Sequence, residues 1–188
     1  MGKIICLYGL AACGKTTQAD LIHAEFDLFQ FGMGDRLREE IASGSKLGQE
    51  IKTYVDAGTL ISDELMGKVI STVGDKIKES GIVFDGFPRI ISQAQMLDEI
   101  SASLGQEVDK FFYLKIKPET ALARIAARAE LTGRADDKDA DAVSNRLGVF
   151  EKESNSLIDY YTKKGILVEI DGEMSIEEVY EEIKKHLM

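Results

Sequence analysis

The sequence predicts an α/β protein whose parallel sheet is covered by helices on both faces. Three observations carry this. Short apolar runs and helical periods alternate from one end of the 188 residues to the other. The apolar runs do not alternate with polar residues, as strands buried on both faces should not. The composition, with 44% apolar and 30% charged residues and no low-complexity tract, is that of an ordinary globular chain. Its length suits one domain, 1–188, with room for a small inserted lobe.

The elements follow in order. Lys3–Tyr8 reads as a buried strand by its length and β-branching, and Gly14–Phe26 as a helix with Leu21, Ile22 and Phe26 apolar. Gly34–Ala42 and Leu47–Asp56 read as short helices separated by Ser43–Lys46. Ser62 is placed to cap a longer helix, Asp63–Glu79, which Gly81 ends. Ile82–Asp85 is a second buried strand, Ser92–Leu104 a helix and Lys110–Ile116 a third strand. Pro118 suits the first turn of a helix Pro118–Glu130, and Leu131–Lys138 is a polar loop. The helix Ala142–Lys164 and the strand Ile166–Ile170 come next. A last helix opens on a capping box, Ser175 with Glu178 three residues on.

The formal charge of −10 argues against nucleic acid or an anionic membrane as a partner. No apolar run is long enough to span a bilayer, and the opening MGKIICLYG lacks a signal-type core and cleavage site. A cytoplasmic protein is expected. Cys6 and Cys13 form neither a disulfide framework nor a zinc half-site. Basic residues divide unevenly: sixteen are lysines, scattered as on solvated faces, and only seven are arginines. Arginine is the bidentate binder of phosphate, so its sparing, clustered use points to an anion site.

Directly after the first strand stands Gly9-Leu10-Ala11-Ala12-Cys13-Gly14-Lys15-Thr16, a complete G-x-x-x-x-G-K-[ST] phosphate loop. Its glycines let the backbone curl so that successive N–H groups face phosphate oxygens, and the helix that follows adds its N-terminal partial charge. Lys15 should reach the β- and γ-phosphates of a nucleotide, and Thr16 should hold Mg²⁺. A chance match in a chain of this length is on the order of one in a hundred. Asp85, an acid at the carboxyl end of a buried strand, stands where a Mg²⁺-organising aspartate belongs.

The stretch Asp85-Gly86-Phe87-Pro88-Arg89 matches a family pattern. Together with Gly34-Asp35-Arg36-Leu37-Arg38, Asp56-Ala57-Gly58, Ser62-Asp63-Glu64-Leu65 and Gly133-Arg134-Ala135-Asp136-Asp137, it resembles the adenylate kinases. The resemblance covers nearly the whole chain and implies a five-stranded parallel sheet in the order 2-3-1-4-5. It also implies a monophosphate-binding lobe near residues 32–61 and a short lid near 127–137. By the same resemblance ATP binds at Ala12, Cys13, Gly14, Lys15, Thr16 and Thr17, with Arg124 on its adenine, Arg128 on its phosphates, and Met174. AMP falls to Met33, Arg38, Thr59, Leu60, Ile61, Gly86, Phe87, Pro88, Arg89, Gln93, Arg134 and Arg146. Six of the seven arginines land on matching positions. The implied activity is transfer of the γ-phosphoryl group of ATP to AMP, with Lys15, Arg89, Arg124, Arg134 and Arg146 catalytic, Mg²⁺ as cofactor, no zinc in the lid, and a monomer acting on free nucleotides.

The sequence departs from the family pattern at several positions. Ala11 and Ala12 replace Pro and Gly in the loop, and Thr16 replaces a Gly. Ala12 is strained if the position needs a positive φ. Cys13 lies near Lys15 and is either a thiolate candidate or a small filler. One residue more than usual separates Asp137 from Arg146, and Met33 stands where a threonine is usual. Two other readings stay open: a kinase of CMP, UMP or GMP, against which Gln93 speaks, and a nucleotide-sensing protein without turnover, against which the retained Lys15, Asp85 and arginines speak. His23 and His186 lie in no motif and are expected at the surface.

Overall fold

The computed structural model describes residues 2–70 and 74–188. Five strands, β1 (Ile4–Tyr8), β2 (Phe29–Gly32), β3 (Ile82–Asp85), β4 (Lys110–Lys115) and β5 (Leu167–Asp171), form one sheet in the order β2-β3-β1-β4-β5. Every pairing is parallel, with Leu7 opposite Asp85 and Tyr8 opposite Tyr113. The two-residue period of a strand sends alternate side chains to opposite faces. Ile4, Cys6 and Tyr8 join one core with Phe84 and Phe111, while Ile5 and Leu7 join a second with Val83, Phe112 and Leu114.

Two helices cover the second core: α1 (Lys15–Phe26) and α10 (Ile176–Lys185), the latter opened by the expected capping box at Ser175 and Glu178. The first core is the larger. It takes side chains from α2 (Met33–Ala42), α3 (Lys46–Ala57), α4 (Asp63–Ile70), α5 (Gly74–Ser80), α6 (Ile91–Ser103) and α9 (Ala140–Lys163). Its flat contact is Tyr161 stacked on Phe111, centroids 4.0 Å apart and planes within 15°. The remaining helices are α7 (Pro118–Thr132) and the short α8 (Ala135–Lys138).

Two readings of the sequence need correction. The strand β2 was not foreseen from the residues: it has four residues and only Phe31 is fully buried, so it carries little periodic signal. Leu131–Lys138 is not a loop throughout, because α7 runs on to Thr132, where Gly133 caps it at φ 70°, and Ala135–Lys138 is helical. Of the helix expected over Asp63–Glu79, the described residues are helical over Asp63–Ile70 (α4) and from Gly74 on (α5), and the part at 71–73 lies outside the described residues. Ser62 does cap α4, its Oγ accepting from the Leu65 N–H at 3.3 Å.

The lobe that α2 and α3 form is tied to α9 at one close approach. Gly58 caps α3 at φ 66°, and a Cβ there would lie 2.3 Å from the Ala142 carbonyl oxygen. Asn145 Nδ2 donates to the Ala57 carbonyl at 2.8 Å beside it. Only glycine meets both demands.

Candidate active site

In open parallel sheets the binding crevice lies at the carboxyl ends of the strands, at the point where the strand order reverses. Here β1 is central, and a cleft of about 500 Å³ opens above its carboxyl end. Its floor is the loop between β1 and α1. Gly9 (φ 145°), Ala12 (φ 61°) and Gly14 (φ 104°) all take positive φ, so the curl expected of a phosphate loop is present, with a non-glycine residue at one of its bends. The first turn of α1 holds no acid, which leaves its N-terminal partial charge uncompensated.

Lys15 Nζ donates to the carbonyls of Gly9 (3.0 Å) and Leu10 (2.8 Å) and to Cys13 Sγ (3.4 Å). Thr16 Oγ1 donates to Asp85 Oδ2 at 2.5 Å. That carboxylate and hydroxyl are two adjacent hard oxygens at the rim of a phosphate loop. Among the described residues no group of three or more His, Cys, Asp or Glu gathers to hold a metal ion. Two oxygen ligands and no cage suit Mg²⁺, which keeps waters and takes the rest of its shell from substrate phosphates.

Six of the seven arginines line the cleft: Arg38, Arg89, Arg124, Arg128, Arg134 and Arg146. Arg36, the seventh, pairs with Glu39 on the surface. Three carboxylates serve most of the six. Asp35 Oδ1 accepts from Arg38 Nη2 at 2.5 Å and lies 3.6 Å from Arg134. Asp137 is bound bidentately by Arg128, at 2.7 and 2.9 Å, and also accepts from Arg146 at 2.8 Å. Arg146 reaches the carboxylate and the carbonyl of Asp136 as well, both at 2.8 Å. Arg124 donates to the Gly172 carbonyl and Arg89 Nε to the Gly86 carbonyl.

Burial first, and then crowding of like charge, weigh on two of these arginines. Loss of hydration pushes the Arg89 pKa down; Asp85 opposes this, and Arg146 and Arg38 add to it. Arg134 is lowered in the same way, by burial first and then by Arg38 and Arg128. A pocket that lowers the pKa of two arginines favours the arrival of a polyanion. Burial pushes the Asp137 carboxyl up, but the bonds from Arg128 and Arg146 outweigh it and hold the pKa below its ordinary value.

Most expected site residues meet in this cleft. Ala12, Gly14, Lys15, Thr16, Thr17, Met33, Thr59, Leu60, Ile61, Asp85 and Gly86 line it together with the six arginines. Cys13, Phe87, Pro88, Gln93 and Met174 are not among its lining residues. The Cys13 side chain is buried in the second core, as a small filler, and Met174 packs against that same core. Phe87 is buried in the first core beside Phe84. Gln93 is fully buried, its Oε1 accepting from the Arg89 N–H at 2.8 Å, while its Nε2 has no partner. His23 and His186 are exposed. Tyr8, Asp35, Asp136 and Phe150 also line the cleft and were not foreseen as site residues. The one available signal was spacing, since Phe150 lies one helical turn beyond Arg146.

This architecture can be set beside known proteins. A family model described as adenylate kinase matches residues 7–166. The adenylate kinase of Caldanaerobacter subterraneus subsp. tengcongensis is 36% identical over 98% of this chain and 96% of its own length. That of a Caulobacter species is 38% identical over 93% of each chain, and that of Phocaeicola vulgatus 36% over 95% of each. With the phosphate loop, the arginine-lined cleft and the 2-3-1-4-5 sheet agreeing along nearly the full length, the chain belongs to the adenylate kinase family.

Proposed function

We infer that the protein transfers the γ-phosphoryl group of ATP to AMP, giving two ADP, and runs the reaction in both directions. The observation that carries this is one cleft in which a phosphate loop and six arginines face each other. The Ala12–Thr17 backbone and Lys15 take the ATP phosphates, with Arg124 and Arg128 on the donor side. Arg38, Arg89, Arg134 and Arg146 take the phosphate of AMP. The lobe near 32–61 and the lid near 127–137 supply the acceptor pocket and the cover.

No general base is needed. The attacking atom is a phosphate oxygen already ionised at neutral pH, so catalysis is alignment and charge. Lys15 and the arginines hold donor and acceptor in line, and closing the lid excludes water, which would otherwise compete as acceptor. Thr16 and Asp85 are the residues to hold Mg²⁺, partly through water; bound there, the ion offsets charge on the donor phosphates. We take the protein to be a monomer acting on free nucleotides in the cytoplasm. No helix among the described residues is long and apolar enough to cross a membrane.

Base choice rests on two side chains. Gln93 holds a buried amide donor without a partner, a group suited to pair with a ring nitrogen of the base. Met33 is 1% exposed and presents an adaptable thioether with no strong donor. AMP should therefore be the best acceptor, with weaker rejection of CMP and UMP than a hydroxyl at position 33 would give. A coupled assay with ATP and each of AMP, CMP, UMP and GMP tests this. A higher kcat/KM for any other monophosphate than for AMP overturns the choice of acceptor, and no ADP formation from any of them overturns the activity.

A further inference from the structure

Tyr8 is the last residue of β1 and directly precedes Gly9 of the phosphate loop. Its ring packs on Phe111, centroids 5.3 Å apart, and stacks on Phe150 at 5.3 Å and 26°. The residue is 3% exposed, yet it lines the cleft. Its hydroxyl has no hydrogen-bond partner among the described residues. The ring is buried among Phe111 and Phe150, but the hydroxyl itself is open to the cleft, where a bound ligand could take its hydrogen bond. The cleft is a side from which a partner can come.

Two landmarks fix which part of the cleft it meets. Phe150 lies four residues after Arg146 on α9, so the two share a helical face one turn apart. On the other side, the Gly86 N–H donates to the Leu7 carbonyl at 3.1 Å, and the Gly86 carbonyl accepts from Arg89 Nε at 2.9 Å. Tyr8 is thus flanked by the elements that carry Arg146 and Arg89. Burial, and then Tyr113, raise its phenol pKa, while Arg89 lowers it in part, so at neutral pH the group is a protonated donor. A further cation here would add to the repulsion that already burdens Arg89, whereas a phenol supplies a donor without charge.

We propose that Tyr8 binds the acceptor, its hydroxyl donating a hydrogen bond to the phosphate of the nucleoside monophosphate alongside Arg89 and Arg146. The assignment rests on the activity inferred above. Tyr8→Phe keeps the ring and removes only the donor. It should raise the KM for AMP about tenfold, as loss of a hydrogen bond to a charged group does, with the KM for ATP and the melting temperature unchanged. Tyr113→Phe is the control, since it removes a hydroxyl from the same aromatic cluster, 5.8 Å away between centroids, outside the cleft lining. It should leave both KM values unchanged. An AMP KM for Tyr8→Phe within about twofold of the wild type overturns the proposal, as does an equal rise for ATP or in Tyr113→Phe, which would mark a packing effect. Calorimetric titration with AMP separates the two levels. Tight AMP binding that Tyr8→Phe retains in full overturns the Tyr8 assignment alone, whereas no AMP binding by the wild type overturns the activity with it.

Discussion

Ala12 shows what a single residue costs. At φ 61° its Cβ crowds the following carbonyl, a conformation that L-residues avoid by roughly 1–2 kcal/mol. Ala12→Gly removes that strain but gives the unfolded chain more freedom to lose. The net expectation is a gain of about 0.5–1 kcal/mol in unfolding free energy, read as a higher urea midpoint with an unchanged slope. A lower midpoint would mean that the loop has absorbed the strain. Lys15 poses the opposite case, a side chain whose value lies in chemistry. Its ammonium bonds two loop carbonyls and a thiol and, among the described residues, pairs with no carboxylate. Lys15→Met should therefore lower kcat on the order of a thousandfold, as loss of a preorganised charge does, while circular dichroism and melting stay near the wild type. Near-normal turnover in the folded variant would remove Lys15 from the mechanism.

At the scale of elements, the segment proposed as the lid is held by an acid between two arginines. Asp137, on α8, joins Arg128 of α7 to Arg146 of α9. Its folded pKa lies below its ordinary value. The stability it contributes is therefore fully present above the unfolded pKa, about 3.9, and is lost as the pH falls through the folded value. Asp137→Asn should cost on the order of 2 kcal/mol at pH 7, because it leaves two partly buried guanidinium groups short of charge. That difference should shrink as both proteins are acidified below about pH 4. Melting curves at pH 7 and pH 3 measure it, and an equal gap at both would show that charge on Asp137 does not hold the lid.

What could be read in advance divides along the same line. The loop Gly9–Thr16, Asp85 and the arginines were legible because phosphate chemistry demands those residue types at those spacings. The other four strands were legible as short apolar runs, most plainly β1 and β3, which are buried along their whole length. The edge strand β2 was not, since four residues with one buried phenylalanine leave no period to count. Neither were the roles of Asp35, Asp136 and Tyr8. The Asp35–Arg134 and Tyr8–Phe150 pairs join residues far apart in the chain, and only the folded sheet brings their elements together.

For the whole molecule the question is whether one cleft holds both nucleotides at once. Asp35, in the proposed monophosphate lobe, faces Arg38 of its own helix and Arg134 of the proposed lid, so the two segments already meet across a carboxylate. A doubly charged phosphate placed between them is a stronger partner for two arginines than an exposed aspartate. Two adenosines joined by five phosphates would offer such groups to the acceptor arginines and the phosphate loop together. The second half then binds without the association cost that a separate molecule incurs. Calorimetry should give a Kd at least about a hundredfold below that of ATP alone. Hydrogen exchange should slow across Leu131–Lys138, as ligand phosphates fix Arg128, Arg134 and Arg146 and with them the turns between α7 and α9. A ligand that binds no tighter than ATP would mean that the donor and acceptor sites are not spanned together. If it binds tightly but leaves lid exchange unchanged, both nucleotides are held by the loop and the lobe alone, and the arginines of the lid do not close on them.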